Sequence, residues 1–280
     1  MIFGSAWLAG LFREVPPGEQ GRGLVVAPER HLHATVRKIE RGQRTSTMVP
    51  AYMHALIVGT GSGLSASLAR TFSGEGIKLT LAARGIDDLE ALCSETGATA
   101  KTCDVLSEAD VDALFSGFEN GEPDVVVFNP SARVRGPITQ IDRGEVKRTV
   151  LTSAYGGFLV AQAAARRMLP NRHGAILFTG ASASVKGYVH SAAFAMAKFA
   201  LRGLAQSMAR ELHPEGIHIG HFIIDGGIRN PMRPERIEKA GRPDSMLDPD
   251  AIARSYLHFL KQDRSAWAWE IELRPWVENF

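Results

Sequence analysis

The stretch His54-Ala55-Leu56-Ile57-Val58-Gly59-Thr60-Gly61-Ser62-Gly63-Leu64 decides how this chain folds. Its first five residues form an apolar run of strand length, and the glycines that follow alternate with small polar residues where an amphipathic helix, Gly63 to Phe72, begins. A second run of strand length, Lys78 to Ala83, comes after that helix, so the three segments make a β-α-β unit. Gly59, Gly61 and Gly63 then occupy the strand-to-helix turn. There glycine lets the backbone approach an anion closely, while the helix start, with Ser62 and Leu64, aims free N–H groups at it.

The same alternation continues outward. Strands are expected at Thr99 to Cys103, Val125 to Phe128, Ala175 to Thr179 and Ile217 to Ile223, and helices at Glu108 to Phe118, Val146 to Met168 and Ala192 to His213. A helix over Pro249 to Lys261 precedes a seventh strand at Glu270 to Leu273. Right-handed crossovers place helices on both faces of such a sheet. The expected class is α/β, a doubly wound Rossmann-type sheet of about seven mainly parallel strands.

Composition narrows the function. The chain has 280 residues, 45% of them hydrophobic, enough for one large core. Its net charge of +2 comes from interleaved basic and acidic residues, so no nucleic-acid partner is expected. The two cysteines, Cys93 and Cys103, lie outside any ligand spacing, so neither a metal nor a disulfide framework is expected, and a reducing cytoplasm fits. Met1 to Phe12 is apolar but carries no leading positive charge and is too short to span a bilayer, so no membrane partner is expected. Residues 16–44 are rich in Gly, Pro, Arg and His without a period. The expected organisation is an N-terminal extension over 1–52, disordered or loosely packed, and a single dinucleotide-binding domain over 53–280 whose C-terminal half holds the substrate pocket.

The chemistry is concentrated in Ser191-Ala192-Ala193-Phe194-Ala195-Met196-Ala197-Lys198. Residues four apart share a helix face, so an aromatic at 194 and a lysine at 198 stand together. A tyrosine there would be a general acid whose pKa the ammonium lowers, but Phe194 has no hydroxyl. The bland alternative is a core aromatic in an amphipathic helix with Lys198 on the surface.

Together with the glycine turn, this stretch resembles the short-chain dehydrogenase/reductase family, and the resemblance runs from about His54 to the C-terminus. The family's Tyr-x-x-x-Lys reads Phe194 to Lys198 here, an atypical site with Phe in place of the catalytic Tyr. Its pattern Thr-Gly-x-x-x-Gly-x-Gly keeps Gly59 and Gly63 but has Val58 for Thr and Ser65 for the last Gly, with looser helix packing as the expected cost. The family tetrad of Asn, Ser, Tyr and Lys falls on Ser153, Ala181, Phe194 and Lys198, and a shift of one residue recovers Ser182. Tyr188 and His190, in the loop over the nicotinamide end, are the other candidate proton donors. Tyr155 is expected to be packed rather than catalytic.

For the cofactor, the resemblance implies a dinucleotide. The second strand ends Ala82-Ala83-Arg84 with no carboxylate to hold a ribose 2′-hydroxyl, and the Arg84 guanidinium suits a 2′-phosphate, which favours NADP while leaving NAD possible. Asp104-Val105 matches the family's adenine contact, although Asp104 equally suits a helix N-cap. Asn129 keeps its place beside Pro130 and Ser131, Lys198 is expected to bond the nicotinamide ribose, and Asp225-Gly226-Gly227-Ile228 lies near the nicotinamide. The loops after Gly187 and Gly227 show no charge constellation that names a substrate, and 230–245 reads as a lid. The expected function is an NADP(H)-dependent oxidoreductase for a small carbonyl or alcohol substrate, with an atypical proton donor or low activity. The alternative is a noncatalytic dinucleotide-binding sensor or an inactive partner subunit. Small residues on the two long helices suggest close packing in a homodimer or homotetramer.

Overall fold

The computed structural model describes residues 51–119, 122–230, 232–238 and 241–277. Most of the expected N-terminal extension, residues 1–50, lies outside the described residues, as do positions 231, 239 and 240 of the expected lid.

From Ala51 onward strands and helices alternate. The strands are β1 His54–Val58, β2 Lys78–Ala83, β3 Thr99–Thr102, β4 Val125–Phe128, β5 Gly174–Thr179, β6 Ile217–Ile224 and β7 Glu270–Leu273. Between them run α1 Leu64–Gly74, α2 Glu90–Thr96, α3 Glu108–Ser116, α4 Arg143–Val150, α5 Gly156–Met168, α6 Ala192–Leu212 and α7 Pro249–Leu260. The strands form one sheet in the order β3-β2-β1-β4-β5-β6-β7, and every pair is parallel. This is the doubly wound architecture the alternation implied. The chain reverses direction across the sheet between β1 and β4, and there the carboxyl ends of two adjacent strands open a crevice.

Side-chain alternation along each strand feeds two separate cores. Ala55 and Ile57 of β1 join Leu68 and Phe72 of α1 and Tyr256 and Phe259 of α7 on one face. Leu56 and Val58 join Leu114 of α3, Val160 of α5 and Leu201 of α6 on the other. Both faces are covered, which is why the central strands read as unbroken apolar runs rather than as alternating ones.

Three local readings change. The helix expected from Val146 starts at Arg143, because the Asp142 carboxylate caps it by accepting from the Glu145 N–H at 2.7 Å, and a wide π turn over Leu151–Tyr155 separates α4 from α5. The helix α2 was not expected; it buries only Leu92 and stops at Gly97, whose φ of +70° is the left-handed conformation that ends helices. Finally, Gly156 and Gly157 of α5 are among the small residues of the long helices, which were expected to allow close packing between subunits. A Cβ on them would stand 2.9 Å from Val105 and 2.7 Å from Leu201 of the same chain, so these two glycines serve internal packing.

Candidate active site

The crevice at the carboxyl ends of β1 and β4 widens into a groove of about 850 Å³. Gly59, Gly61, Ser62, Gly63, Leu64, Arg84, Asp104, Val105, Asn129 and Ile228 all line it, which brings together every expected dinucleotide contact except Lys198. At its centre α1 begins at Gly63 without a side-chain cap, so its first N–H groups face the groove with the positive end of the helix dipole behind them. Gly61 has nothing within 4 Å of a built Cβ, leaving that wall open. Gly59 is fixed by the opposite condition: its φ is +81°, and a Cβ would stand 2.6 Å from the Pro130 nitrogen. A pyrophosphate fits this cradle on geometry and charge alike.

The expected loosening at Ser65 is not what the residue does. Ser65 is buried, its hydroxyl donates to the Gly59 carbonyl at 3.0 Å, and it accepts from the Asn129 side-chain amide at 2.7 Å. The main-chain N–H of Asn129 in turn donates to the Val58 carbonyl at 3.0 Å. The glycine turn is therefore pinned from both sides. Asp104 is not a helix cap, because Ser107 caps α3 by accepting from the Asp110 N–H at 3.1 Å. Asp104 turns its carboxylate to the Leu106 N–H at 3.0 Å, closing a tight turn at the groove wall.

Lys198 is buried, which removes the surface-lysine reading. Its Nζ donates to the Thr179 carbonyl at 2.8 Å, and burial pulls the ammonium down to about 8. That bond ties Lys198 to the end of β5. Phe194 lies 5.9 Å from Nζ, measured to its ring centroid, and the guanidinium of Arg133 covers the same ring at 4.7 Å. Neither Phe194 nor Lys198 lines the groove, but Arg133 does, so the aromatic sits just beyond the groove's end.

The remaining candidates are spread along the loop after β5. Ser182 is half-buried in a 3-10 turn. Tyr188 is exposed, with the Lys186 ammonium 5.8 Å from its ring centroid. The pKa of Lys186 is raised first by hydrogen bonding to Tyr188; burial opposes this, and Asp225, whose carboxylate lies 3.4 Å away, adds to the rise. His190 is exposed with a left-handed φ of +59°, and its carbonyl receives the Gly136 N–H at 3.1 Å. None of the three lines the groove. Tyr155 is not packed as expected: it is part-exposed on the π turn, stacks on Phe158 and bonds Glu108. The hydroxyls of Thr149 and Ser153, buried in and beside that turn, have no hydrogen-bond partner among the described residues.

One group of residues escaped the sequence reading. The Ser184 hydroxyl accepts from the Ala181 N–H at 3.1 Å and faces His221 Nε2 at 3.4 Å. His221 Nδ1 meets Glu270 at 2.9 Å, and Arg202 grips the same carboxylate through two bonds of 2.7 and 2.8 Å. Ser184 and His221 are fully buried, so this Ser-His-Glu series has no access to a substrate and cannot work as a nucleophile. It fixes the Gly180-Ala181 turn instead: a Cβ on Gly180 would lie 2.4 Å from His221 Nε2. Only the fold brings these four elements together, and no local spacing announces them.

Groove, pinned glycine turn and buried lysine on α6 define a Rossmann-type scaffold with a dinucleotide-sized groove. Residues 53–240 match the short chain dehydrogenase family, and the chain belongs to it. It is 30% identical over 188 residues to short chain aldehyde dehydrogenase 1 of Euphorbia lathyris, covering 64% of each chain. It is 33% identical over 171 residues to the mitochondrial borneol dehydrogenase of Lavandula x intermedia, covering 59% of this chain and 65% of that one. The match thus spans less than two thirds of the length of these curated relatives. Among solved structures, a short-chain dehydrogenase from Rhodopseudomonas palustris is 32% identical with a TM-score of 0.68, over 81% of this chain and all of that one. A metagenomic short-chain oxidoreductase in complex with NADP has the same fold at 22% identity and a TM-score of 0.69, over 81% of this chain and 98% of that one. Among the described residues no helix is long and apolar enough to cross a membrane.

Proposed function

We propose that this chain is an NADP(H)-dependent oxidoreductase for a small carbonyl or alcohol substrate, in which Phe194 stands where the family places its catalytic tyrosine. The observation that carries this reading is the pair itself: a buried ammonium one helical turn from an aromatic ring with no oxygen, at the end of a dinucleotide groove. The bound dinucleotide would supply the hydride. The chain's own residues supply the rest. The free N–H groups of α1 would hold the pyrophosphate, Arg84 at the end of β2 would meet a 2′-phosphate, and Lys198, now bonded to the Thr179 carbonyl, would serve the nicotinamide ribose. Loss of a positioned general acid removes about 10²–10⁴ in rate, so the proton comes slowly from solvent or from Ser182, Tyr188 or His190.

A cytoplasmic homodimer or homotetramer is the form we expect. Met196 and Phe199 of α6 and Phe158 of α5 are exposed, and exposed apolar side chains grouped on two long helices suit a second copy of the chain.

Fluorescence titration with NADPH and NADH, followed by a turnover screen on a panel of carbonyls, tests the proposal. Tight NADPH binding with measurable reduction supports it. Tight binding with no turnover on any substrate favours the second reading, a noncatalytic dinucleotide sensor or inactive partner subunit, for which the missing hydroxyls at Ala181 and Phe194 are the specific observation. Binding of neither dinucleotide overturns both.

A further inference from the structure

Charge is distributed unevenly along the groove. Its carboxylates, Asp87, Asp88 and Asp104, all follow β2 or β3, at the end where Arg84 lies. Arg133, from the β4 exit, and Arg233 and Arg236, from the segment after β6, line the groove as well. Among the described residues, none of these three arginines has an ion-pair partner, and neither does Arg135. Their charges act on one another: burial first, and then the like charges of Arg135 and Arg236, lower the pKa of Arg133. Guanidinium groups stay ionised regardless, so the protein gathers unbalanced positive charge at one place.

That place is fixed by the ring beneath it. The Arg133 guanidinium lies over Phe194, 4.7 Å from the centroid, whereas the Arg236 carbonyl accepts from the Asn230 N–H and the Asn230 side chain reaches Ser62 of the glycine turn, so Arg133 is the arginine that stands beside Phe194. The uncapped start of α1 already provides for the pyrophosphate, and Arg84 lies at the end of β2. Arg133, which also feels the charges of Arg135 and Arg236, has no ion-pair partner among the described residues and is placed to meet an anionic group of a substrate. A planar guanidinium accepts a carboxylate or a phosphate ester in bidentate fashion, and with its apolar face stacked on an aromatic ring its N–H edge stays free for that contact.

We propose that the substrate is an anion: a carbonyl or alcohol compound whose carboxylate or phosphate is held by Arg133, with Arg135 and Arg236 adding to the field that draws it in. This rests on the oxidoreductase reading above and specifies its substrate class.

The test uses the full chain with NADPH and matched pairs of carbonyls, acetoacetate against methyl acetoacetate for the carboxylate and dihydroxyacetone phosphate against dihydroxyacetone for the phosphate. The expected result is a kcat/KM at least about tenfold higher for the charged member of one pair, a size typical of one charged contact. The pair that shows it identifies the anion. Arg133→Ala should collapse that ratio toward one, mainly through KM, while the NADPH Kd changes less than about twofold. Equal or better use of the neutral members overturns the proposal. So does a loss of NADPH affinity in Arg133→Ala as large as the loss in kcat/KM, because the arginines would then serve the dinucleotide. If nothing turns over, calorimetry of acetoacetate and dihydroxyacetone phosphate with the NADPH-loaded protein separates the two ideas. Saturable binding that Arg133→Ala abolishes keeps the anion site and leaves only the oxidoreductase reading failed; no binding of either anion sinks the anion site.

Discussion

The side-chain amide of Asn129 donates to the hydroxyl of Ser65 across 2.7 Å, tying the exit of β4 to the first turn of α1. The two strands and the helix that converge on the groove are thereby held in one geometry at its edge. Ser65→Gly, which restores the residue common in the family, should cost about 1–3 kcal/mol, because it leaves the Asn129 amide short of an acceptor in a part-buried site. Thermal unfolding should show a lower Tm and NADPH titration a higher Kd. An unchanged Tm and an unchanged Kd together would show that the pin contributes nothing.

Cofactor choice should follow Arg84. It is exposed at the end of β2, lines the groove, and has no ion-pair partner among the described residues. Arg84→Asp places a carboxylate where a 2′-phosphate would sit and offers a ribose hydroxyl its acceptor. The variant should bind NADH more tightly than NADPH, the reverse of the wild type. Equal affinities for the two dinucleotides in the wild type would remove the argument.

Restoring one oxygen at position 194 should raise carbonyl reduction by about tenfold or more, the contribution expected of a positioned general acid. The new phenol would lie near Lys198 and under Arg133, and both cations favour the phenolate. Its pKa would therefore fall below the usual tyrosine value, and because the protonated form is the donor, the gain should fade as pH rises through that lowered pKa. A Phe194→Tyr variant slower than wild type at every pH would place the proton source elsewhere, with Tyr188, His190 and Ser182 the next side chains to remove.

Stability should weaken in mild acid. His218 lies between Phe259 and Trp267, with ring centroids 4.0 and 4.2 Å away, bonds the Ala268 carbonyl at 2.9 Å, and packs edge-on to His213. Burial chiefly pushes its pKa down from 6.5 to about 4, the Ala268 carbonyl opposing and the nearby His213 adding to the shift. Between those values the unfolded chain binds a proton that the folded chain refuses, so stability rises with pH across this window and is lost as pH falls through it. The shift is worth on the order of 3 kcal/mol for this one group. His218→Phe keeps the stack but removes the titration, so its Tm should change less between pH 6.5 and 4 than that of the wild type. Equal slopes would mean that His218 does not titrate in this range.

The parts of the site that lie within one helix or one turn were readable in advance, and the parts assembled across the sheet were not. Phe194 and Lys198 share α6, and Gly59 to Gly63 share a turn, so spacing alone paired them. The strands β1 and β4 announced themselves because burial on both faces demands unbroken apolar runs. By contrast α2 buries a single leucine and carries too little pattern to read, and the π turn at Leu151 breaks no hydrophobic period. Arg133 and Arg236 belong to loops after different strands, and nothing in either segment states that they share a groove. Ser184, His221 and Glu270 likewise meet only once β5, β6 and β7 are side by side.

That last meeting sets an order of events in time. Glu270 follows His221 by 49 residues and belongs to the final strand of the sheet. During synthesis the ribosome therefore releases the glycine turn, the lysine helix and the histidine long before the carboxylate that holds the histidine in place. A nascent chain with six strands formed has a nearly complete dinucleotide groove, but its Gly180-Ala181 turn still rests on an imidazole without its anchor. A chain cut short before β7 would keep the residues that line the groove while lacking the carboxylate that holds His221 beside the Gly180-Ala181 turn.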